Sequence, residues 1–365
     1  MGRSALPPSA YADPMARYRW AFTALAGLVV AAVLLTGLLR SAPPSAATGT
    51  GNAALIPTDQ RMGAPEFTGL DGWLNSQPLT LNGLRGKVVL VDFWTFSCVN
   101  CVRTIPHLRH LEQTYASRGL VIVGVHSPEF DFEKQRPNVA AAMRRFGVTW
   151  PVALDSQMNT WNAFGNQYWP AEYLIDQSGR EAYIHDGEGD YDVTESAIAA
   201  LLGINAAPTP VAATPDLSSE TPELYAGSDG GRGVLGNRES YGAIGRPVDY
   251  GNADTTTDAD RIVLAGTWAD QGQYVVSRTP GHVLLNFSAR DVYIVAGPDS
   301  GSAHATVMVD GTPVSAQQRG PDLAAAGLDV TSQQLYYVLQ GEGGDRRLID
   351  VSVPAGFRLY TFTFG

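Results

Sequence analysis

Two cysteines separated by two residues are the clearest sign of chemistry in the sequence, and Cys98-Val99-Asn100-Cys101 contains both cysteines of the chain. A disulfide between them would close a loop too short to stabilise the fold usefully. The pair directly follows a strand pattern and opens a helical one. First-turn amides and the helix dipole stabilise an anion there, so Cys98 can ionise near neutral pH, and Cys101 can reach the same sulfur one turn later. The spacing predicts thiol–disulfide exchange, in which an exposed thiolate attacks and its partner resolves the mixed disulfide.

Other residues near the pair in the sequence fit the same chemistry. Asp92 lies six residues before Cys98 inside an apolar run, where an unpaired carboxylate is costly to bury. A buried acid there can exchange protons with the resolving thiol; the alternative is an ordinary acid bonded to Lys87. Trp169-Pro170 precedes a predicted hairpin strand, and a cis proline there would expose backbone beside the sulfurs for pairing with an extended substrate.

The elements predicted around the cysteines alternate between strand and helix. Val88–Trp94 and Leu120–His126 are apolar, β-branched runs typical of buried central strands. Ser178-Gly179 predicts a hairpin, and a capping-box pattern at Asp192 predicts a final helix. The predicted order is a strand at 88–94, a helix from 98 to 117, a strand at 120–126, a helix at 133–146, a hairpin of 172–175 with 182–185, and a helix from 192 to 202. This is an α/β order.

The motifs together resemble the thioredoxin superfamily, in its membrane-tethered, extracytoplasmic TlpA-like branch. The resemblance rests on VDFW, CxxC, Pro106 five residues beyond the second cysteine, and Pro170 before a hairpin. Three further segments are similar to the exported part of DipZ-like proteins: the motif WTFSCVNC, the segment LDGWLNSQPLTLNGLRGK and the C-terminal sequence YTFTFG. The resemblance covers roughly residues 60 to 365 and is more specific for the first domain than for the second.

The resemblance implies a thioredoxin fold and a set of roles. Cys98 would be the nucleophile, Cys101 the resolving thiol, Asp92 the buried acid and Pro170 the cis proline, with Trp169 beside it narrowing the substrate groove. DipZ-like proteins begin with a multi-span electron-transporting domain, and a single predicted helix stands in its place here, which implies a separate membrane electron donor. The clients implied are protein disulfides or dithiols outside the cytoplasm.

Composition excludes several classes of protein. The chain has 365 residues, room for two or three domains, and with 44% hydrophobic and 17% charged residues it is not intrinsically disordered. Its 39 Gly and 23 Pro indicate many turns. A net charge of -11, with no basic run interleaved with aromatics, argues against nucleic acid as a partner.

The N-terminal part predicts a membrane anchor. Residues 20–40 hold an uncharged run of Ala, Leu and Val that ends at Arg40, and about 20 such residues can cross a bilayer once. Arg3, Arg17 and Arg19 favour a cytoplasmic N-terminus, residues 1–19, and an extracytoplasmic remainder. A cleaved secretory signal is the alternative, but the apolar run is long for one and favours a retained signal anchor.

The rest of the chain is predicted to hold two domains. A tether, residues 41–59, leads to a thioredoxin-like domain at 60–204, and a Pro-, Ala- and Thr-rich linker at 205–219 leads to a C-terminal domain at 220–365. Short alternating strands predict an antiparallel β-sandwich of the jelly-roll type there. The predicted strands are 282–287, 292–295, 305–309, 348–353 and 360–364.

The C-terminal domain has two open interpretations. It could bind a glycan as a carbohydrate-binding module does, with aromatic rings stacking on sugars. It could instead be a docking or stabilising module whose aromatics are core residues. The aromatics concerned are Trp268, Tyr274, Tyr293, Tyr336 and Tyr337.

Three alternatives to thiol–disulfide exchange remain open. His107 and His110 add formal zinc ligands to the cysteines, but their spacing is too tight for a zinc finger, so we expect both on the helix surface, no metal, and no cofactor beyond the redox-active disulfide. Thr95 gives the T-x-x-C pattern of thiol peroxidases, although Val91 stands where those enzymes carry proline. A non-enzymatic cell-surface glycan-binding protein would use the fold only as a scaffold. Trp161 and Tyr168 are expected to serve packing.

Overall fold

The computed structural model describes residues 55–205, 220–252, 258–341 and 345–365. All of these belong to one compact unit, residues 52–365. The predicted anchor at 20–40 lies outside the described residues, as do most of the tether and of the linker. Within the described ranges, no helix is both long enough and apolar enough to cross a membrane.

A six-stranded sheet forms the first half of the described chain. Its strands are β1 Trp73–Leu74, β2 Val88–Trp94, β3 Leu120–His126, β4 Val152–Leu154, β5 Ala171–Ile175 and β6 Glu181–Asp186, in the spatial order β1-β4-β3-β2-β5-β6. The strands β2, β3 and β4 run parallel, and β5, β6 and β1 pair antiparallel. All seven residues of β2 are buried, as its β-branched sequence predicts for a central strand.

Four helices complete this half within the described residues: α1 Val99–Tyr115, α2 Arg136–Phe146, α3 Asn159–Ala163 and α4 Tyr191–Leu201. Strands β2 and β3, the α1 helix and the hairpin of β5 with β6 lie where the sequence predicts them. Helix α2 begins later than predicted, because 131–134 form a separate 3-10 turn and Gln135 is extended. Pro137 then fits the first turn of α2, where its missing N–H breaks no bond.

The start of α4 corrects the predicted capping box. Asp190, with φ 45°, precedes the helix, and its side chain makes no capping hydrogen bond. The side chains of Thr194 and Glu195 are buried, where Thr194 donates to Glu172 and Glu195 accepts from Tyr115, instead of capping the helix. Strand β4 and helix α3 were not predicted, since segments of three and five residues are too short to show a period.

The C-terminal half is all β, and its described part forms two antiparallel sheets around a shared apolar core. Its strands are β7 Leu224–Tyr225, β8 Pro247–Asp249, β9 Ile262–Ala265, β10 Thr267–Asp270, β11 Val275–Ser277, β12 Gly281–Phe287, β13 Val292–Pro298, β14 Ala303–Val309, β15 Thr312–Pro313, β16 Leu323–Ala324, β17 Gly327–Val330, β18 Gln334–Leu339, β19 Arg347–Val353 and β20 Phe357–Phe364. The five predicted strands fall within β12, β13, β14, β19 and β20. The prediction of a thioredoxin fold followed by an all-β region is therefore confirmed.

The two halves meet through aromatic side chains. Tyr360 on β20 is 2% exposed, and its ring lies edge-on to Phe130 and Phe132, with centroids 5.2 and 4.9 Å apart. Tyr293 and Tyr337 stack on each other at 4.3 Å beside the same core. The apolar core below α1 therefore continues into the C-terminal half.

Replacing Tyr360 should show how much this contact stabilises the protein. Tyr360→Ala removes a buried ring between the halves, and we expect a loss of about 3 kcal/mol in the free energy of unfolding. Tyr360→Phe keeps the ring contacts and loses the hydrogen bonds that the hydroxyl forms with Gln333 and Arg358, so it should lose about 1 kcal/mol. Urea unfolding measures both losses; equal, small losses would mean that the ring contacts contribute little.

Candidate active site

Cys98 lies at the N-cap position of α1. Its backbone is extended, with φ -78° and ψ 116°, and its sulfur accepts a hydrogen bond of 3.3 Å from the backbone N–H of Cys101. Both cysteines are free thiols; Cys98 is partly exposed, whereas Cys101 is 2% exposed. Helix N-termini present unpaired N–H groups and a positive dipole end, so negative charge on Cys98 is stabilised here.

Cys101 lies in a different environment from Cys98. Burial raises the pKa of its thiol well above the ordinary value, and the hydrogen bond with Cys98 and the charge of Asp92 raise it further. The backbone N–H of Thr95 opposes this shift only in part. Cys101 therefore stays protonated while Cys98 faces solvent, which suits Cys98 to attack and Cys101 to resolve.

The loop before β5 faces the sulfur of Cys98. The Trp169–Pro170 peptide bond is cis, as the sequence predicts. The thiol of Cys98 donates to the carbonyl oxygen of Trp169 at 3.9 Å. The indole of Trp169 donates to the Ser127 carbonyl at 3.0 Å and packs on Trp161 at 4.2 Å, so this loop is fixed beside the dithiol.

Asp92 is buried at the centre of β2. It is 2% exposed, and its Oδ1 atom has no hydrogen-bond partner. Burial raises the pKa of this carboxyl well above its usual range, and the neighbouring Glu172 raises it further. Asp92 and Lys87, both described, form no ion pair, so the geometry favours a buried acid that interacts with Cys101 over an ordinary surface pair.

Glu133 holds Ser97, the residue before Cys98, and sequence reasoning missed it. This carboxylate is fully buried and accepts from the hydroxyl of Ser97 at 2.6 Å and from its backbone N–H at 3.2 Å. It also accepts from the backbone N–H groups of Glu129 and Phe130. Glu133 therefore ties the 127–133 loop to the start of α1.

One of the two histidines that were predicted to lie on the helix surface needs a correction. His107 is buried, not on the helix surface, and stacks on Tyr191 at 4.5 Å; burial lowers its pKa to about 4. His110 is partly exposed and lies 3.2 Å from Glu195. In the part of the chain that the structure describes, no three His, Cys, Asp or Glu side chains are grouped so as to hold a metal ion.

Three further predicted positions are now placed. Thr95, the threonine of the T-x-x-C pattern, is fully buried, and its hydroxyl lies 3.4 Å from His126 Nε2. Trp161 is buried, as expected for packing. Tyr168 is 54% exposed, so the expectation that it serves packing is wrong.

The fold and the dithiol together define the class. Residues 59–202 match the Redoxin family model, and residues 221–365 match the family model described as the thioredoxin-like C-terminal domain. A thioredoxin-fold domain with a CxxC pair at a helix N-terminus, followed by this C-terminal domain, is thus established.

Individual relatives carry the comparison further. Protein DipZ from Mycobacterium bovis and from Mycobacterium tuberculosis is 38% identical over 318 residues, which is 83% of this chain and 43% of the relative. Thiol-disulfide oxidoreductase ResA from Halalkalibacterium halodurans is 30% identical over 31% of this chain and 62% of its own length. Thiol-disulfide oxidoreductase YkuV from Bacillus subtilis is 27% identical over 39% of this chain and 95% of its own. The predicted resemblance to DipZ-like proteins of thioredoxin fold is confirmed, and the chain spans less than half the length of the DipZ proteins.

Glu133 offers a test of how the nucleophile loop is held. Glu133→Ala leaves buried N–H groups and the Ser97 hydroxyl without an acceptor, so we expect a loss of about 3 kcal/mol in stability and a changed rate of Cys98 alkylation. Glu133→Gln keeps an acceptor oxygen and should lose less on both counts. Urea unfolding and timed alkylation measure the effects; an alkylation rate unchanged in both variants would contradict this role.

Asp92 should make stability depend on pH in a defined direction. Folding raises the pKa of the Asp92 carboxyl above the pKa of about 3.9 that it has in the unfolded chain. Such a group destabilises the folded protein increasingly as the pH rises above that unfolded-state pKa. Asp92→Asn should therefore be more stable than the parent chain at about pH 8, with a difference that shrinks toward pH 4. Asp71→Asn, at an exposed position, is the control. Equal pH dependence in the parent and in Asp92→Asn would refute the burial argument.

Proposed function

We propose that the protein is a thiol–disulfide oxidoreductase that acts on protein disulfides or dithiols through Cys98 and Cys101. One observation carries the proposal: the two sulfurs differ sharply in exposure although they are one helical turn apart. ResA and YkuV, which are similar to 31% and 39% of this chain, are named thiol-disulfide oxidoreductases, and this supports the proposal.

The steps follow from that asymmetry. In the reducing direction, the Cys98 thiolate attacks one sulfur of a client disulfide; an S–S bond forms between Cys98 and the client, and the other client sulfur leaves as a thiolate with the electron pair. Cys101 then loses its proton and attacks Cys98. The second client thiolate leaves, and the Cys98–Cys101 disulfide remains. The chain is oxidised by two electrons and the client is reduced by two.

Asp92 provides the base that the second half-reaction needs. A buried thiol with a raised pKa is a poor nucleophile until its proton is removed. Asp92 is close enough for its charge to act on Cys101, and because burial raises its pKa, its ionised form accepts a proton more readily than an ordinary aspartate does. The redox-active disulfide is the only redox group that this mechanism uses.

A client would lie along the loop that faces Cys98. An extended client segment can reach the partly exposed sulfur beside Trp169 and the exposed ring of Tyr168. On the other side, Arg103 donates to Asn100 of the motif at 2.6 Å and to the Phe364 carbonyl at 3.4 Å. The C-terminal strand thus lies close to the motif and narrows the space through which a client can reach Cys98. This favours a few dedicated clients over general disulfide reduction.

The place of action is part of the proposal. The uncharged run within residues 20–40, preceded by arginines, supports a single-pass anchor with the redox domain outside the cytoplasm. Outside the cytoplasm the chain would draw electrons from a separate membrane donor.

The C-terminal half is proposed mainly as a docked, stabilising module. The aromatics considered for sugar stacking are buried or partly buried in the core or between the halves: Trp268, Tyr274, Tyr293, Tyr336 and Tyr337. A glycan partner and a jelly-roll topology stay predictions. Support for a glycan comes from an open cleft of about 900 Å³ lined by both polar and apolar side chains; the polar ones include Arg290, Gln317, Gln340 and Arg347.

The thiol peroxidase alternative loses support from the geometry. Peroxide would have to be held by the Thr95 hydroxyl beside the attacking sulfur. That hydroxyl is buried and directed to His126, whose pKa burial lowers to about 3.

A trapping experiment tests the proposed function. Cys101→Ser should accumulate mixed disulfides with clients through Cys98, because attack still occurs and resolution does not. The complexes are seen as thiol-sensitive bands on non-reducing gels of cells that express the full chain.

Cys98→Ser is the matched control, since it keeps one buried cysteine and removes the exposed one. It should trap no client. Complexes formed by Cys98→Ser and absent from Cys101→Ser would reverse the assigned roles, and their absence from both variants would contradict the proposed function.

A further inference from the structure

Three titratable side chains lie in one row across the sheet. Asp92 on β2 is the register partner of Glu172 on β5, and Glu172 is the register partner of His185 on β6. Side chains of directly paired residues lie on the same face, with Cβ atoms about 4.5 to 5.5 Å apart. Leu174 and Tyr183 lie two residues from Glu172 and His185 along their strands, so their side chains point to the same face of the sheet as the row. Both belong to the apolar core below α1, which also contains Cys101, so the row lies on the face that α1 covers.

Each member of the row has an unpartnered buried atom. These atoms are Asp92 Oδ1, Glu172 Oε1 and His185 Nε2. Buried polar atoms are nearly always hydrogen-bonded, so three neighbouring exceptions need an explanation. An atom that passes a proton on must be free to form and break a bond to that proton. These three atoms are free in this sense, since no other hydrogen bond occupies them.

The polar side chains packed around the row do not compete with it for the proton. Thr194 on α4 donates to Glu172 Oε2 at 3.0 Å and fixes that carboxyl. Tyr183 on β6 and Tyr191 on α4 have pKa values that burial raises to about 12, so both stay neutral. Burial raises the pKa of Glu172 to about 7, where it can take up and release a proton.

Exposure increases along the row. Asp92 and Glu172 are each 2% exposed, the His185 side chain is 13% exposed, and Asp190, with Oδ2 at 4.0 Å from His185 Nδ1, is 72% exposed. The row therefore leads from beneath the dithiol to water at the sheet edge.

We propose that Glu172 and His185 form a proton path that connects Asp92, and through it the Cys101 thiol, with solvent. The proposal rests on the proposed function, since it concerns the step in which Cys101 resolves a mixed disulfide. The thiol proton moves to Asp92, the Cys101 thiolate forms an S–S bond with Cys98, and the client thiolate leaves. A proton then moves from Asp92 to Glu172, from Glu172 to His185, and from His185 to water, which restores the ionised Asp92.

The test isolates the resolving step in the full chain, purified in detergent and reduced. Ellman's reagent converts Cys98 to a mixed disulfide with release of one thionitrobenzoate, and attack by Cys101 releases a second. Stopped-flow absorbance resolves the two releases from about pH 5 to about pH 9, a range that spans the titration of Glu172. The same runs in D₂O report proton transfer.

Glu172→Gln should slow the second release about 10-fold near neutral pH and remove the inflection near pH 7, a smaller effect than the 10² to 10⁴ of a direct proton donor or acceptor. His185→Gln should slow the same step, and free imidazole should restore it. The first release should be unchanged in both variants. Because His185 lies at the sheet edge, His185→Gln keeps the test valid even if Glu172→Gln folds poorly.

Two controls make the same chemical changes outside the row. Glu181→Gln alters a carboxyl in the same hairpin, and His304→Gln alters a histidine on β14. Both should leave the second release unchanged. Rates and pH profiles in Glu172→Gln and His185→Gln that match the parent chain would overturn the proton path. No second release from the parent chain would instead overturn the proposed function.

Discussion

The burial of the Asp92 carboxyl in the central strand, on the face beneath the two cysteines, is the constraint on which the site depends. A charge at this depth is strongly disfavoured, so the ionised carboxyl binds a proton more readily than an ordinary aspartate does and can take one from the equally buried Cys101. Neither group could behave in this way at the surface. The strand must therefore be covered on both faces, and the rest of the fold provides this cover.

Several elements turn that buried pair into a site with one reactive sulfur. The Cys101 amide in the first turn of helix α1 donates to the Cys98 sulfur, the Trp169 carbonyl approaches the same sulfur, and Glu133 fixes the residue before it. The C-terminal half packs on the 127–133 loop through Tyr360, so it supports the loop that Glu133 ties to the residue before Cys98. In the proposed function, this is how an all-β module without cysteine would contribute to redox chemistry.

Sequence patterns predicted those parts of the site that are formed by residues close together in the chain. The β-branched run of β2, the CxxC spacing and the proline before the hairpin each define a short segment by its own residue types. Glu133, Glu172 and His185 could not be found in this way, because their importance arises from the register of β2, β5 and β6 and from contacts between distant segments. One signal was available: Glu172 lies within Ala171–Ile175, whose residues are all buried, and a carboxylate in an apolar strand is unusual.

Titration of the Asp92 carboxyl, followed by carbon-13 NMR in the reduced chain with Asp92→Asn to assign the signal, shows directly whether burial controls this acid. We expect a pKa well above the ordinary aspartate value of about 3.9 and a signal that also responds to ionisation of Cys101. A carboxyl that titrates near 3.9, with no response to the thiol, would contradict it.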